Sequence, residues 1–251
     1  MTKLSIESPS GANLAALFDE SPGSHRAVVM AHGLGSHKGS TFYAQLAPRL
    51  VEKGISCLRV DLYGHGESTG DFEKLTPSKA VQDLVAAVRY LFTKGYSRIG
   101  LVGSSFGGNA ALLAAAQLPD TAALVLRAPV SDYASLWRER LSAKELEEWR
   151  TTGKRHYGSF EGRNYQLGYC YYEDSVSLEE YVKAETVSVP TLLLHGTADD
   201  VVPIAQSRKL AKHLPNCELI ELDSANHRLD GPNNAFETAV TLSAEFLGAR
   251  V

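Results

Sequence analysis

Residues 101–110, LVGSSFGGNA, decide how this chain is read. An apolar run meets two serines and a phenylalanine bracketed by glycines, and an alanine-rich, helix-like stretch follows at once. Gly103, Ser104, Ser105, Phe106 and Gly107 form a G-x-S-x-G pattern centred on Ser105. Two readings compete for such a pentapeptide. It is either a reactive serine on a strained strand-to-helix turn, or merely a turn of small residues.

The flanking sequence favours a strand-to-helix turn. Before it, residues 26–33 (RAVVMAHG), 56–62 (SCLRVDL) and 98–104 (RIGLVGS) are short apolar runs suited to buried strands. They alternate with helical patterns at 42–54 and 78–95. In the second of these, Val81, Leu84, Val85, Val88 and Leu91 recur at helical spacing and Gly95 ends the helix. After the pentapeptide, a helix is expected at 109–118 and strands at 122–129, 190–196 and 217–223, with further helices at 204–214 and 234–248. At the start, strands at 4–7 and 14–18 around a turn suggest an edge hairpin. Strands alternating with helices predict an α/β fold: a mostly parallel central sheet with helices on both faces. Ligands in such sheets bind beyond the carboxyl ends of the strands.

Composition narrows the function. The chain has 251 residues and a net charge of −4, which gives no electrostatic footprint for nucleic acid or an anionic membrane. No window approaches the ~20 apolar residues of a spanning helix. The N-terminal stretch has no apolar core behind a basic start, so no secretory signal is read and a cytoplasmic location is expected. Cys57, Cys170 and Cys217 are widely spaced without a C-x-x-C pair and read as simple thiols. GLGSHKGS at 33–40 has Lys38 ahead of Gly39, the reverse of a phosphate loop. No grouping has metal-ligand spacing, and no cofactor is expected.

Three positions follow predicted strand ends: Ser105, then Asp199 with its neighbour Asp200, then His227. A serine hydroxyl is a poor nucleophile until a histidine takes its proton, and a carboxylate must orient and stabilise that imidazole. The chain order Ser, Asp, His is that of one fold among the common serine hydrolases. The remaining histidines read as structural or surface groups. His32 and His195 would bond loop backbone, and His65 would brace its own turn.

At these residues the chain resembles the α/β-hydrolases from about residue 26 to the C-terminus, apart from one insertion. HGLGS (32–36) resembles their oxyanion loop, DLYGHGES (61–68) a strand-loop signature, HGTADDVVP (195–203) the acid segment and ANH (225–227) the histidine. Among them it is most similar to small capped esterases of the cinnamoyl or feruloyl ester hydrolase group, with GHGESTGDFEKLT (64–76) in common. The resemblance implies Ser105 as nucleophile, His227 as base and Asp199 rather than Asp200 as acid. It implies the backbone N–H groups of Leu34 and Phe106 as oxyanion donors.

Residues 131–188 break the alternation and hold ten of the 21 aromatic residues, including both tryptophans. A 58-residue insertion is too long for a plain loop, and its LSAKELEEWR piece (141–150) looks helical. It is read as a cap inserted in a core made of 1–130 and 189–251. Its rings could be the cap's own core or could line a pocket, with Trp137 and Tyr172 as candidate substrate contacts. The expected function is a serine carboxylesterase acting on small to medium esters through an acyl-enzyme. An aminopeptidase-type amide hydrolase or a thioesterase would use the same residues, and a silent ligand-binding protein is the reading from a different class.

Overall fold

The structure, a computed structural model, describes residues 1–160 and 163–251. Its frame is an eight-stranded sheet. The strands are β1 (Thr2–Glu7), β2 (Asn13–Asp19), β3 (Arg26–Ala31), β4 (Ser56–Val60), β5 (Arg98–Ser104), β6 (Leu124–Arg127), β9 (Thr191–Gly196) and β10 (Cys217–Leu222), and their order is β1-β2-β4-β3-β5-β6-β9-β10. β1 and β2 form the expected antiparallel edge hairpin, and the strands from β4 to β10 pair in parallel.

Alternation along β3 explains how both faces are filled. Ala27, Val29 and Ala31 enter one apolar cluster, and Val28 and Met30 enter the other. Helices α1 (Thr41–Glu52) and α9 (Ala235–Arg250) cover the second cluster. Helices α2 (Pro77–Thr93), α3 (Phe106–Gln117) and α8 (Ile204–His213) cover the first. Helix α3 starts three residues earlier than the sequence pattern indicates, because Gly107 and Gly108 hide its first turn.

The chain leaves β3 through α1 towards β4 and leaves β5 through α3 towards β6. These departures run in opposite directions, so a crevice opens between the carboxyl ends of β3 and β5. Gly33 and Ser105 lie at that switch point. A Cβ built at Gly33 would stand 3.4 Å from Ser105 Cβ.

Among the described residues, the region 131–188 contributes no strand to the main sheet. It holds α4 (Tyr133–Arg140), α5 (Ala143–Thr152), α6 (Tyr169–Ser177) and α7 (Glu180–Ala184). It also holds a hairpin of β7 (Lys154–Phe160) and β8 (Arg163–Gly168), which the sequence reading missed. Residues 161 and 162 of the expected insertion lie outside the described residues. The hairpin is mostly polar, so it lacks the apolar alternation by which strands are recognised. Both tryptophans are tied down locally. Trp149 Nε1–H donates to the Leu167 carbonyl at 2.9 Å and Trp137 Nε1–H to Ser175 Oγ at 2.9 Å. With Tyr169, Tyr171 and Tyr172 they form a continuous ring cluster, in which Trp137 and Trp149 centroids are 5.3 Å apart.

Polar contacts to α2, α8 and α3 are among those that fasten this region to the core. Asp174 accepts the Ser78 N–H and O–H at the start of α2, both at 2.7 Å. Gln206 on α8 bonds Ser131 and Asp132. Glu180, 6% exposed, stands 3.5 Å from Asn109 Nδ2 on α3, and the other Asn109 side-chain atom, Oδ1, is buried without a partner among the described residues. Burial pushes the Glu180 carboxyl up to about 7, although the N–H groups of Glu180 and Tyr133 favour its ionised form.

That shift has a definite sign. Between the unfolded value and about 7 the folded state holds a proton that the unfolded chain has lost, so this contribution to stability is full at low pH and is lost as pH rises. Glu180→Gln removes the titration. Its stability relative to the parent should rise by about 1.4 kcal/mol per pH unit across pH 5–7 and level off above. Urea unfolding of both proteins at pH 5, 6, 7 and 8 measures the difference.

Candidate active site

Ser105 sits between the last residue of β5 and the first of α3 with φ 54° and ψ −117°, a backbone region that a residue with a side chain occupies only under strain. The strand and helix pass so closely that a Cβ at Gly103 would come within 2.2 Å of the Gly107 carbonyl oxygen. A Cβ at Gly107 would stand 2.3 Å from the Ala31 oxygen. The two glycines therefore permit the turn, and the turn lifts Ser105 out of the strand. Ser104 points into the protein instead. It is 1% exposed, and its Oγ is held by Arg127 Nε–H at 2.9 Å and by Tyr43 at 2.8 Å.

Asp199 follows β9 and His227 follows β10. His227 Nδ1 donates to Asp199 Oδ2 at 2.7 Å, which leaves Nε2 as the basic atom. The Asp199 carboxylate is fully buried and accepts hydrogen bonds at both oxygens. Oδ1 accepts the Val201 and Val202 N–H groups at 2.8 Å each, and His195 Nε2, which bonds the Val202 carbonyl at 2.9 Å, stands 3.1 Å from Oδ2. Burial alone would raise the Asp199 pKa. The bonds from His195 and His227 and the charge of His227 outweigh it and hold the carboxyl well below the usual range. Asp200 is exposed, and Glu221 is engaged by Arg208 through two 2.7 Å bonds.

No hydrogen bond joins Ser105 Oγ to His227 Nε2 among the described residues. Such bonds are often long in unliganded sites and tighten when substrate fills the space. What connects the two loops here is Arg127, whose Nη1 donates to the His227 carbonyl at 3.4 Å.

The loop after β3 lies alongside. Neither Leu34 N–H nor Phe106 N–H has a protein acceptor among the described residues, and Phe106 is the first residue of α3. Two buried histidines shape this loop, each as a neutral ring. His32 Nδ1–H bonds the Gly33 carbonyl while Nε2 accepts Leu62 N–H. His65 Nδ1–H bonds the Tyr63 carbonyl while Nε2 accepts Gly35 N–H at 3.1 Å. Burial, reinforced by His32, pushes His65 down to about 3, so it keeps its acceptor atom in mild acid. Lys38 ends the loop in an ion pair with the buried Asp61, which also accepts Lys38 N–H at 2.6 Å. A Cβ at Gly66 would come within 2.2 Å of Asp61 Oδ2, so glycine is required where the second loop wraps that carboxylate.

Trp137 and Tyr172 have their ring and hydrogen-bond partners within residues 131–188. Tyr157 is the residue of this region that reaches the loop after β3, with its hydroxyl 3.5 Å from the Leu34 carbonyl. It occupies the register shift between His156 and Gly158, and a bulge of this kind re-aims a side chain. Phe72 bridges it to the histidines, 5.9 Å from Tyr157 and 5.0 Å from His65. Sequence reasoning missed Tyr157, Arg127 and the support that His195 gives to Asp199. Only His195 carried a signal, its place four residues before the acid.

A strained serine between a parallel strand and a helix, with an Asp–His pair on neighbouring strand ends, places the chain in the class of α/β-hydrolases. A family model described as the alpha/beta hydrolase family matches residues 28–238, and the chain belongs to that family. It is 31% identical to 2,6-dihydropseudooxynicotine hydrolase of Paenarthrobacter nicotinovorans over 72% of this chain and 46% of that protein. It is 28% identical to the human protein ABHD12B over 78% of this chain and 51% of that one. The chain thus spans about half the length of these curated relatives. Among solved structures, Est1E from Butyrivibrio proteoclasticus with ferulic acid bound has the same fold, with a TM-score of 0.86, 24% identity and 98% of each chain covered.

The two adjacent aspartates give a direct test of the acid. Asp199→Asn keeps the shape but removes the charge and favours the wrong histidine tautomer, so turnover should fall by about 10⁴. Asp200→Asn should change it by less than about tenfold. Both variants, checked for folding by circular dichroism, should be assayed on one short-chain ester at mildly alkaline pH.

Proposed function

We propose that the protein is a serine hydrolase of small to medium carboxylic esters, working through an acyl-enzyme on Ser105. The observation that carries this reading is the fully buried Asp199 fixing His227 Nδ1, on strand ends beside a strained serine. His227 Nε2 takes the Ser105 hydroxyl proton as Oγ attacks the ester carbonyl carbon. The carbonyl oxygen becomes an oxyanion, for which the Leu34 and Phe106 N–H groups are the donors. Collapse breaks the ester C–O bond, and His227 returns the proton to the leaving alkoxide. Water then repeats the sequence on the acyl-serine, releasing the acid and restoring Ser105. Each oxyanion donor is worth about 3 kcal/mol of barrier in comparable sites. These steps need no cofactor.

In this reading residues 131–188 cap the site over the core of 1–130 and 189–251. Tyr157 and Phe72 form its wall above the oxyanion loop, while Trp137 and Tyr172 influence selectivity through the packing of the cap. The ferulic acid bound to Est1E is consistent with room for an aryl acid. Amide and thioester cleavage would use the same groups and form the second reading, favoured by the hydrolase name of the relative from P. nicotinovorans without an ester being specified.

A fluorophosphonate should label the protein on Ser105, and Ser105→Ala should abolish labelling. A panel of p-nitrophenyl and aryl esters, with matched amides and thioesters, then ranks the bond classes, and the ester should be cleaved fastest. Tyr157→Ala should alter the preference between short and aryl acyl groups while acetyl ester turnover persists. Labelling confined to another residue, or turnover of amides alone, would refute the ester reading.

A further inference from the structure

Arg127, the last residue of β6, bonds to the Ser105 turn, to Ser104 and to the His227 loop. Its carbonyl accepts Ser105 N–H at 2.9 Å. Its Nε–H donates to Ser104 Oγ at 2.9 Å, and its Nη1 donates to the His227 carbonyl at 3.4 Å. Among the described residues it has no carboxylate within ion-pairing distance, and its guanidinium rests 5.1 Å from the Phe42 ring centroid. An arginine placed at a strand end without an ion-pair partner is costly unless its geometry is used.

The bonds continue beyond it. Ser104 Oγ is 2.8 Å from the Tyr43 hydroxyl oxygen, which is 2.5 Å from the Ala31 carbonyl. The Tyr43 hydroxyl thus bridges Ser104 Oγ and the Ala31 carbonyl, and a continuous set of contacts joins the cation through Ser104 and Tyr43 to Ala31, which directly precedes the His32-Gly33-Leu34 loop.

We propose that Arg127 is a positioning residue for the reaction, setting the spacing between the Ser105 turn and the His227 loop and tying both to the strand that carries Leu34. The inference rests on the Ser105–His227–Asp199 reading. The charged or titratable side chains acting on the guanidinium are Asp199 beyond β9 and Tyr43 on α1, while the His227 loop meets it through the His227 carbonyl.

The test is the second-order rate of fluorophosphonate labelling of Ser105 from pH 5 to 9, in the parent and three variants. Arg127→Met should lower the rate at pH 8 by about 10- to 100-fold, the effect of a displacement near 1 Å. Arg127→Lys keeps the charge but loses the planar fork that reaches both Ser104 and the His227 carbonyl, so its rate should fall as well, which loss of charge alone would not produce. Tyr43→Phe removes the contact beyond Ser104 and should lower the rate by about threefold to tenfold. A folded Arg127→Met variant with lower melting temperature but the parent's rate and profile would overturn the inference and leave Arg127 a packing residue. If that variant does not fold, parent-like rates in both Arg127→Lys and Tyr43→Phe overturn it equally. A parent protein that takes no label at Ser105 overturns the triad reading and this inference together.

Discussion

The structure depends on one close approach, that of β5 to the first turn of α3. Space for a side chain is absent on both sides of the turn, and Ser105 between the glycines takes a positive φ. Strain of this kind persists only when the surroundings over-determine it. Here they do so: Ser105 N–H is held by Arg127, Ser105 O is held by Asn109 N–H, and the Ala31 and His32 carbonyls press against Gly107. The parallel sheet supplies this setting because β5 lies at its centre, flanked by β3 and β6. A serine on an edge strand could not be constrained from both sides.

Electrostatics completes what the backbone begins. An isolated carboxylate at the depth of Asp199 would be protonated or expelled, because burial disfavours its charge. Two backbone N–H groups and two imidazoles reverse that balance. The result is a fixed negative charge on one side of His227, with Arg127 on the other side of the same loop. Around the loop after β3 the solution is the opposite. Burial outweighs the pull of the Asp61 charge on His32, so His32 and His65 stay neutral, serving as links that each donate from Nδ1 and accept at Nε2.

The sheet was legible in the sequence because its strands are apolar on both faces and its helices alternate with them. The Ser105, Asp199 and His227 positions were legible because small or polar residues follow each strand end in a fixed order. What was hidden depends on contacts between distant segments. Arg127 reads as an ordinary charge ending an apolar run, and nothing in RAP at 127–129 points to Ser104 or His227. Glu180 reads as one of two solvated acids, yet α7 buries it against Asn109. The β7–β8 hairpin is held by cross-strand pairing and by its seat on residues 72–74, not by an apolar pattern of its own, and the bulge that aims Tyr157 has no sequence mark.

The central claim is that the strained Ser105 forms a covalent bond with the acyl group of its substrate. Mixing the protein with excess p-nitrophenyl acetate, quenching in acid within milliseconds and mapping the peptides by mass spectrometry measures this directly. The account predicts an acetyl group on Ser105, formed together with a burst of p-nitrophenolate and lost as the acid is released. Ester turnover with no adduct at any time, or an adduct on Ser104 or His227 in place of Ser105, would contradict it.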